Sequence, residues 1–110
     1  MNIPLNKSIV LSHEMADKIT ELLRLIDHPE RMLILCNLSS GEKCVSELIR
    51  LSYLSQSAFS QHLAILRNAN LVKVNRVAQT LYYSINDPSI LLLLATLKNM
   101  FCQEEGISDV

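Results

Sequence analysis

Apolar residues recur at helical spacing through the first two thirds of the chain and then at strand spacing. Met15, Ile19, Leu22, Leu23 and Ile26 fall at offsets 0, 4, 7, 8 and 11. They form one stripe of an amphipathic helix over 12–26, with Ser12 as its cap. Asp27-His28-Pro29 breaks that pattern, and Pro29 suits the first turn of a second helix. This helix runs to about Leu38 through Met32, Leu33, Leu35 and Cys36. Ser39-Ser40-Gly41 ends it, with Gly41 expected in the C-terminal capping role. Val45, Leu48 and Ile49 predict a short third helix with Cys44 or Ser46 near its start. Tyr53-Leu54 makes a tight turn, and Ser55 caps a fourth helix running to about Asn70. The apolar stripe of that helix is Phe59, Leu63 and Leu66. Its other face carries Gln56, Ser57, Ser60, Gln61, Ala64 and Arg67.

The period then drops to two. Leu71 to Arg76 alternates, and so does Thr80 to Ile85, with only Val77-Ala78-Gln79 between them. That predicts a short antiparallel hairpin, with Tyr83, Leu81 and Ile85 toward the core and Tyr82 outward, within reach of a phosphate. Asn86-Asp87-Pro88 opens a last helix with a cap and a first-turn proline. Its residues Ile90, Leu91 to Leu94, Ala95, Leu97, Met100 and Phe101 are apolar on several faces. A core helix accounts for one such face. The others predict a dimer interface over 87–104 shared with the first helix. The expected fold is mainly α with a small β-hairpin, a winged helix-turn-helix of order α-α-α-α-β-β-α.

A chain of 110 residues predicts a single domain, residues 1–110, with a modest core that a dimer would enlarge. The apolar fraction of 49% excludes a disordered chain. No apolar run is long enough to cross a bilayer, and the opening residues do not resemble a signal peptide, so a cytoplasmic protein without a membrane partner is expected. The tail from Gly106 to Val110 reads as frayed. An odd count of three cysteines, Cys36, Cys44 and Cys102, argues against a disulfide framework, and no C-x-x-C pair suggests a zinc knuckle. An enzyme is not expected, since glycine occurs only at 41 and 106 and no phosphate loop or nucleophile-base set is present. No cofactor is implied.

Charge distribution changes the picture that a net charge of −1 suggests. No acidic residue lies between Glu47 and Asp87, where Arg50, Arg67, Lys73 and Arg76 stand. The remainder holds six basic and eleven acidic residues. A cationic middle on an acidic frame points to double-stranded DNA. The third and fourth helices form the two-helix unit that places a recognition helix in the major groove. Ordinary exposed helix faces carry Glu and Lys; the fourth helix shows amides, hydroxyls and one Arg. Ser57, Ser60 and backbone amides suit phosphate, while Gln61 and Gln56 suit base edges. His62 follows Gln61 and fits either a phosphate contact or packing at the helix edge. Lys73, Arg76 and Gln79 are expected at or near the hairpin tip, against DNA backbone or minor groove. A protein-interaction module that kept the fold and lost DNA binding is the alternative from a different class.

The runs Asp27-His28-Pro29-Glu30-Arg31, Leu54 to Leu63, Leu66-Arg67, Leu71-Val72 and Gln79 to Tyr83 resemble the ArsR/SmtB repressors over about residues 12–105. The likeness is greatest to the branch containing HlyU, BigR and SqrR. It implies a homodimeric winged-helix regulator that responds to reactive sulfur species by thiol persulfidation. The family's zinc sensors carry histidine ligands on the last helix, whereas here His13, His28 and His62 all lie elsewhere. Its arsenic sensors carry Cys-x-Cys at the start of the third helix, where this chain reads Cys44-Val45-Ser46. No metal is expected, although a metal- or metalloid-responsive repressor stays the alternative within the family. A free cysteine on an apolar helix is most often a small core residue. The resemblance instead implies Cys36 and Cys102 as the sensing pair, with Arg31 as a candidate source of thiolate character.

Overall fold

The computed structural model describes residues 8–105. The frayed tail expected for 106–110 and the opening residues 1–7 lie outside them. Eight elements follow in order among the described residues: α1 (His13–Leu25), α2 (Pro29–Asn37), β1 (Lys43–Cys44), α3 (Val45–Arg50), α4 (Gln56–Asn68), β2 (Val72–Val77), β3 (Thr80–Ile85) and α5 (Pro88–Glu105). The predicted winged helix-turn-helix is present.

Local chemistry sets the element ends. The Ser12 hydroxyl accepts from Met15 N at 3.1 Å, and the Ser55 hydroxyl accepts from Ala58 N at 3.2 Å, so both serines cap their helices. Pro29 and Pro88 each open a helix, where the missing N–H costs nothing. Asp87 Oδ1 accepts from the Ser89 amide and hydroxyl at 3.0 and 2.7 Å at the start of α5. Helix α4 stops at Asn68, two residues short of the sequence expectation. Asn70 adopts φ +63°. Its N–H bonds to the Arg67 carbonyl while Leu71 N–H bonds to Leu66, the paired closure of a Schellman motif. Leu66 and Leu71, both buried, supply the apolar contact that goes with it.

Two further expectations are corrected. Gly41 does not cap α2: the C-cap is Leu38, and Gly41 sits beyond it at φ +134° in the turn toward β1. The hairpin loop is two residues long, since Val77 pairs with Thr80. Only Ala78, at φ +57°, and Gln79 lie between the strands. Two-residue loops match strand twist by placing a positive φ at the first loop position.

The sheet also has a third strand that periodicity could not reveal. β1 is two residues long, and its order in the sheet is β1-β3-β2. Lys43 pairs with Tyr83 and Cys44 with Tyr82, which ties the start of α3 to the wing. The core is one cluster of Ile26, Ile34, Leu35, Leu38, Leu48, Phe59, Leu63, Leu66, Leu71, Val72, Tyr83 and Ile90. Leu81 and Ile85 pack against it, as their alternation with Tyr83 predicted.

Candidate nucleic-acid interface

Helix α4 is anchored on its inner side by Phe59, Leu63 and Leu66, all buried. The 100° step per residue then distributes its polar residues around the rest of the cylinder. Ser57 and Gln61 fall on the strip opposite the core. Gln56, Ser60 and Arg67 fall on the flank toward the sheet. Gln56 shares a groove of ≈ 640 Å³ with Cys44, Ser46, Gln79 and Thr80. Ser60 and Arg67 share a second cleft with Val45 and Tyr83. The structure thus brings the start of α4, the start of α3 and the tip of the wing to one side of the molecule. Gln56, Ser57, Ser60, Gln61, Arg67, Lys73, Arg76 and Gln79 are all exposed. None is engaged by another described side chain. Unspent donors on a rigid helix are what groove recognition requires.

The wing cations do not act as one cluster. Lys73 pairs with Ser84, far from the turn, while Arg76 pairs with Leu81 near it. Side chains alternate across a strand, so positions 73 and 76 face opposite sides of the ribbon. Lys73 is therefore at the base of the wing, not at the tip as the sequence suggested. Arg76 continues the face of Val72 and Val74 beyond the edge of the core.

His62 is separated from these residues. It sits on the flank of α4 that faces α2, where its Nδ1 accepts from Arg31 Nε at 3.1 Å. Burial, Arg31 and His28 hold its imidazole below the ordinary histidine range, with Glu30 opposing. The His28 ring lies 5.6 Å away, centroid to centroid.

The thiols occupy a different region. Cys36, Cys44 and Cys102 are free. Cys36 lines a groove of ≈ 450 Å³ whose other residues are Ser39 of the following turn and Leu91, Leu94, Ala95 and Lys98 of α5. Cys102 stands one turn beyond Lys98, and positions 91, 95, 98 and 102 share one face of a helix. Burial pushes the Cys36 thiol up, and the Lys98 ammonium partly counters it. Arg31 has no part in this: its donors go to His62 and to the Leu25 carbonyl. Sequence reading chose the wrong cation because Lys98 is 62 positions away along the chain. Cys44 lies at the edge of the wing groove, its Sγ 3.2 Å from Ser46 Oγ, with its N–H donating to Glu47 Oε1 at 3.3 Å. Among the described residues no three His, Cys, Asp or Glu side chains converge as a metal site.

The family model of the bacterial regulatory proteins of the arsR family matches residues 28–74, from the start of α2 into the wing. The HTH-type transcriptional regulator YgaV of Escherichia coli K12 is 44% identical over 88 residues, covering 79% of this chain and 89% of that protein. The chain belongs to the ArsR family. Like its relatives, this ArsR-family protein is a DNA-binding transcriptional regulator and not an enzyme. The structure of HlyU from Vibrio cholerae superposes with a TM-score of 0.76 at 35% identity, covering 83% of this chain and 99% of that one. The repressor BigR from Xylella fastidiosa also gives 0.76, at 29% identity, covering 81% and 91%. The likeness to HlyU and BigR places this ArsR-family chain near their branch. Among the described residues, no helix is long and apolar enough to cross a membrane.

Proposed function

We propose that the protein is a homodimeric promoter-binding regulator of the cytoplasm whose DNA affinity is switched by sulfur chemistry at Cys36 and Cys102. Promoter DNA is met by Ser57 and Gln61 from the outer strip of α4, by Gln56, Ser60 and Arg67 from its wing-side flank, and by Lys73, Arg76 and Gln79 of the wing. The dimer forms through α1 and α5. What supports it is the apolar surface these helices leave open: Met15, Ile19 and Leu23 on α1, and Leu92, Met100 and Phe101 on α5, are exposed. Each is already about half covered, so burying the rest contributes about 0.7–1.5 kcal/mol per side chain, half of the full-burial value.

The observation that carries the sensing reading is the groove between α2 and α5, with Cys36 on one wall and Lys98, one turn before Cys102, on the other. The effector is a reactive sulfur species of the hydropolysulfide class. One thiolate attacks a sulfane sulfur, forming a protein persulfide and releasing hydrosulfide. The second thiolate attacks the persulfidated cysteine's own sulfur, expels another hydrosulfide and leaves a disulfide. With hydrogen disulfide as oxidant, two thiols yield one disulfide and two molecules of hydrogen sulfide. Additional sulfane sulfur, when retained, lengthens the bridge and relaxes the Cα separation of about 4.4–6.8 Å that a plain disulfide demands. A bridge ties α2 to the dimer helix and turns one protomer against the other. Two recognition helices must sit about one DNA turn apart, so a small rotation spoils their register. A near-total switch needs about 5.5 kcal/mol of differential affinity.

The test is intact-protein mass spectrometry after polysulfide treatment, read beside duplex titrations over a range of salt. Reduced protein should bind duplex DNA with a steep salt dependence and release it on treatment, whereas Cys36→Ser and Cys102→Ser should stay bound. Release by Cys102→Ser would remove the dithiol switch. Binding insensitive to salt would favour the protein-interaction module.

A further inference from the structure

Among the described residues, Arg31 is the one charged side chain that is buried, only 8% exposed. A buried guanidinium costs several kcal/mol unless its donors are matched. Here they go to two elements other than its own. Nη1 donates to the Leu25 carbonyl at the end of α1, 3.0 Å away, and Nε donates to His62 Nδ1 on α4, 3.1 Å away. The end of α1, the start of α2 and the middle of α4 therefore meet on one side chain. An Nδ1 acceptor requires a neutral imidazole with its proton on Nε2. A protonated ring has no lone pair to offer and sets a second positive charge against the guanidinium.

We propose that Arg31 and His62 are a positioning pair that sets α4 against α1 and α2, and that protonation of His62 releases it, so that DNA binding weakens on acidification. This rests on α4 being the DNA-facing helix. The pair links the helix that reads DNA to the helix assigned to the dimer seam, the two bodies whose relative angle decides half-site register. The charged and titratable groups facing the ring are Arg31 and Glu30 of α2 and His28 at its cap. Two of the three are basic, and the ring is partly desolvated, so its neutral form is favoured in the folded state. A histidine depressed in this way contributes stability above its unfolded pKa and loses it as pH falls through the folded value. The window therefore opens below about pH 6.5.

The sign is diagnostic. A histidine that contacts phosphate gains a charge on acidification and strengthens DNA binding; a histidine that serves as acceptor for a buried arginine does the opposite. The experiment uses the reduced, full-length protein and a duplex selected from a random pool at pH 8. Affinity is measured from pH 8 to 5.5 at constant ionic strength, each variant referred to its own value at pH 8. The wild type is expected to lose roughly three- to tenfold. His62→Asn, whose Oδ1 stands where Nδ1 did and cannot be protonated there, should lose the fall; His28→Gln should keep it. Wild-type affinity that is constant or rises toward pH 5.5 overturns the proposal, as does an undiminished fall in His62→Asn. Imidazole NMR of the wild type gives a second readout independent of any variant. It should show His62 with its proton on Nε2 at pH 8, and a ring carrying the proton on Nδ1 overturns the pair. Absence of salt-dependent duplex binding at pH 8 would defeat the role of α4 instead, and the tautomer would still decide the pair.

Discussion

Helices α1 and α4 begin alike and end in opposite situations. Each has 13 residues, each is capped by a serine hydroxyl, and each carries one apolar stripe. Helix α4 buries Phe59, Leu63 and Leu66 in its own chain, and α1 buries none of its residues. Leu22 and Leu25 of α1 touch the edge of the core, while Met15 and Leu23 each stay 47% exposed. The difference lies in what sits opposite each stripe. Helix α4 faces α2 and β2, which complete a layer around it. Helix α1 instead borders an open cleft lined by its own Leu23, by Ile26, by Met32 of α2 and by Leu97 in the middle of α5. An amphipathic stripe thus reports that a partner surface is needed and says nothing about which chain supplies it. The α2/α4 half is packed within one chain; the α1/α5 half leaves apolar surface open, which in the proposed dimer a second copy covers.

The largest test strikes the incomplete half. Leu23→Asp combined with Met100→Asp should yield a monomer by analytical ultracentrifugation. Operator affinity should fall by roughly 10²–10⁴, because two tethered half-sites become two independent ones. An unchanged dimer would show that the open seam is not the interface. Next comes the reading surface. Gln61→Ala should cost about 1–3 kcal/mol at one base position and relax preference there. Arg67→Ala or Arg76→Ala should weaken all sequences alike and reduce the salt slope by about one. Parallel behaviour of all three in a competition assay would contradict the division between outer strip and flank. Smaller still is Ser55→Ala, which removes the cap of α4 at a cost of about 1 kcal/mol. A fall of about 4–8 °C in the unfolding midpoint would report it. Ser12→Ala should cost less than Ser55→Ala in a monomeric background, since α1 is held by fewer tertiary contacts. The smallest effect belongs to the wing. Ala78 at φ +57° carries strain that glycine does not. Ala78→Gly should therefore be neutral or stabilising by up to about 0.5 kcal/mol in denaturant titrations.

Sequence periodicity alone determined the helices, the hairpin and their order, because each is a local pattern with its own repeat. Phe59, Leu63 and Leu66 mark an inner face at helical spacing, and the stretch from Arg50 to Arg76 is cationic because it holds no acidic residue. The exposed amides and hydroxyls of α4 were legible for the same reason: a residue's place on a helix follows from its number. Tertiary structure decided what depends on neighbours distant in sequence. It made two residues at Lys43–Cys44 a strand by presenting β3 to them, put Lys98 rather than Arg31 beside Cys36, and turned His62 away from the outer strip of α4 toward a buried guanidinium. Contacts of that kind are fixed by how helices pack across the core, and spacing along a chain carries no record of them.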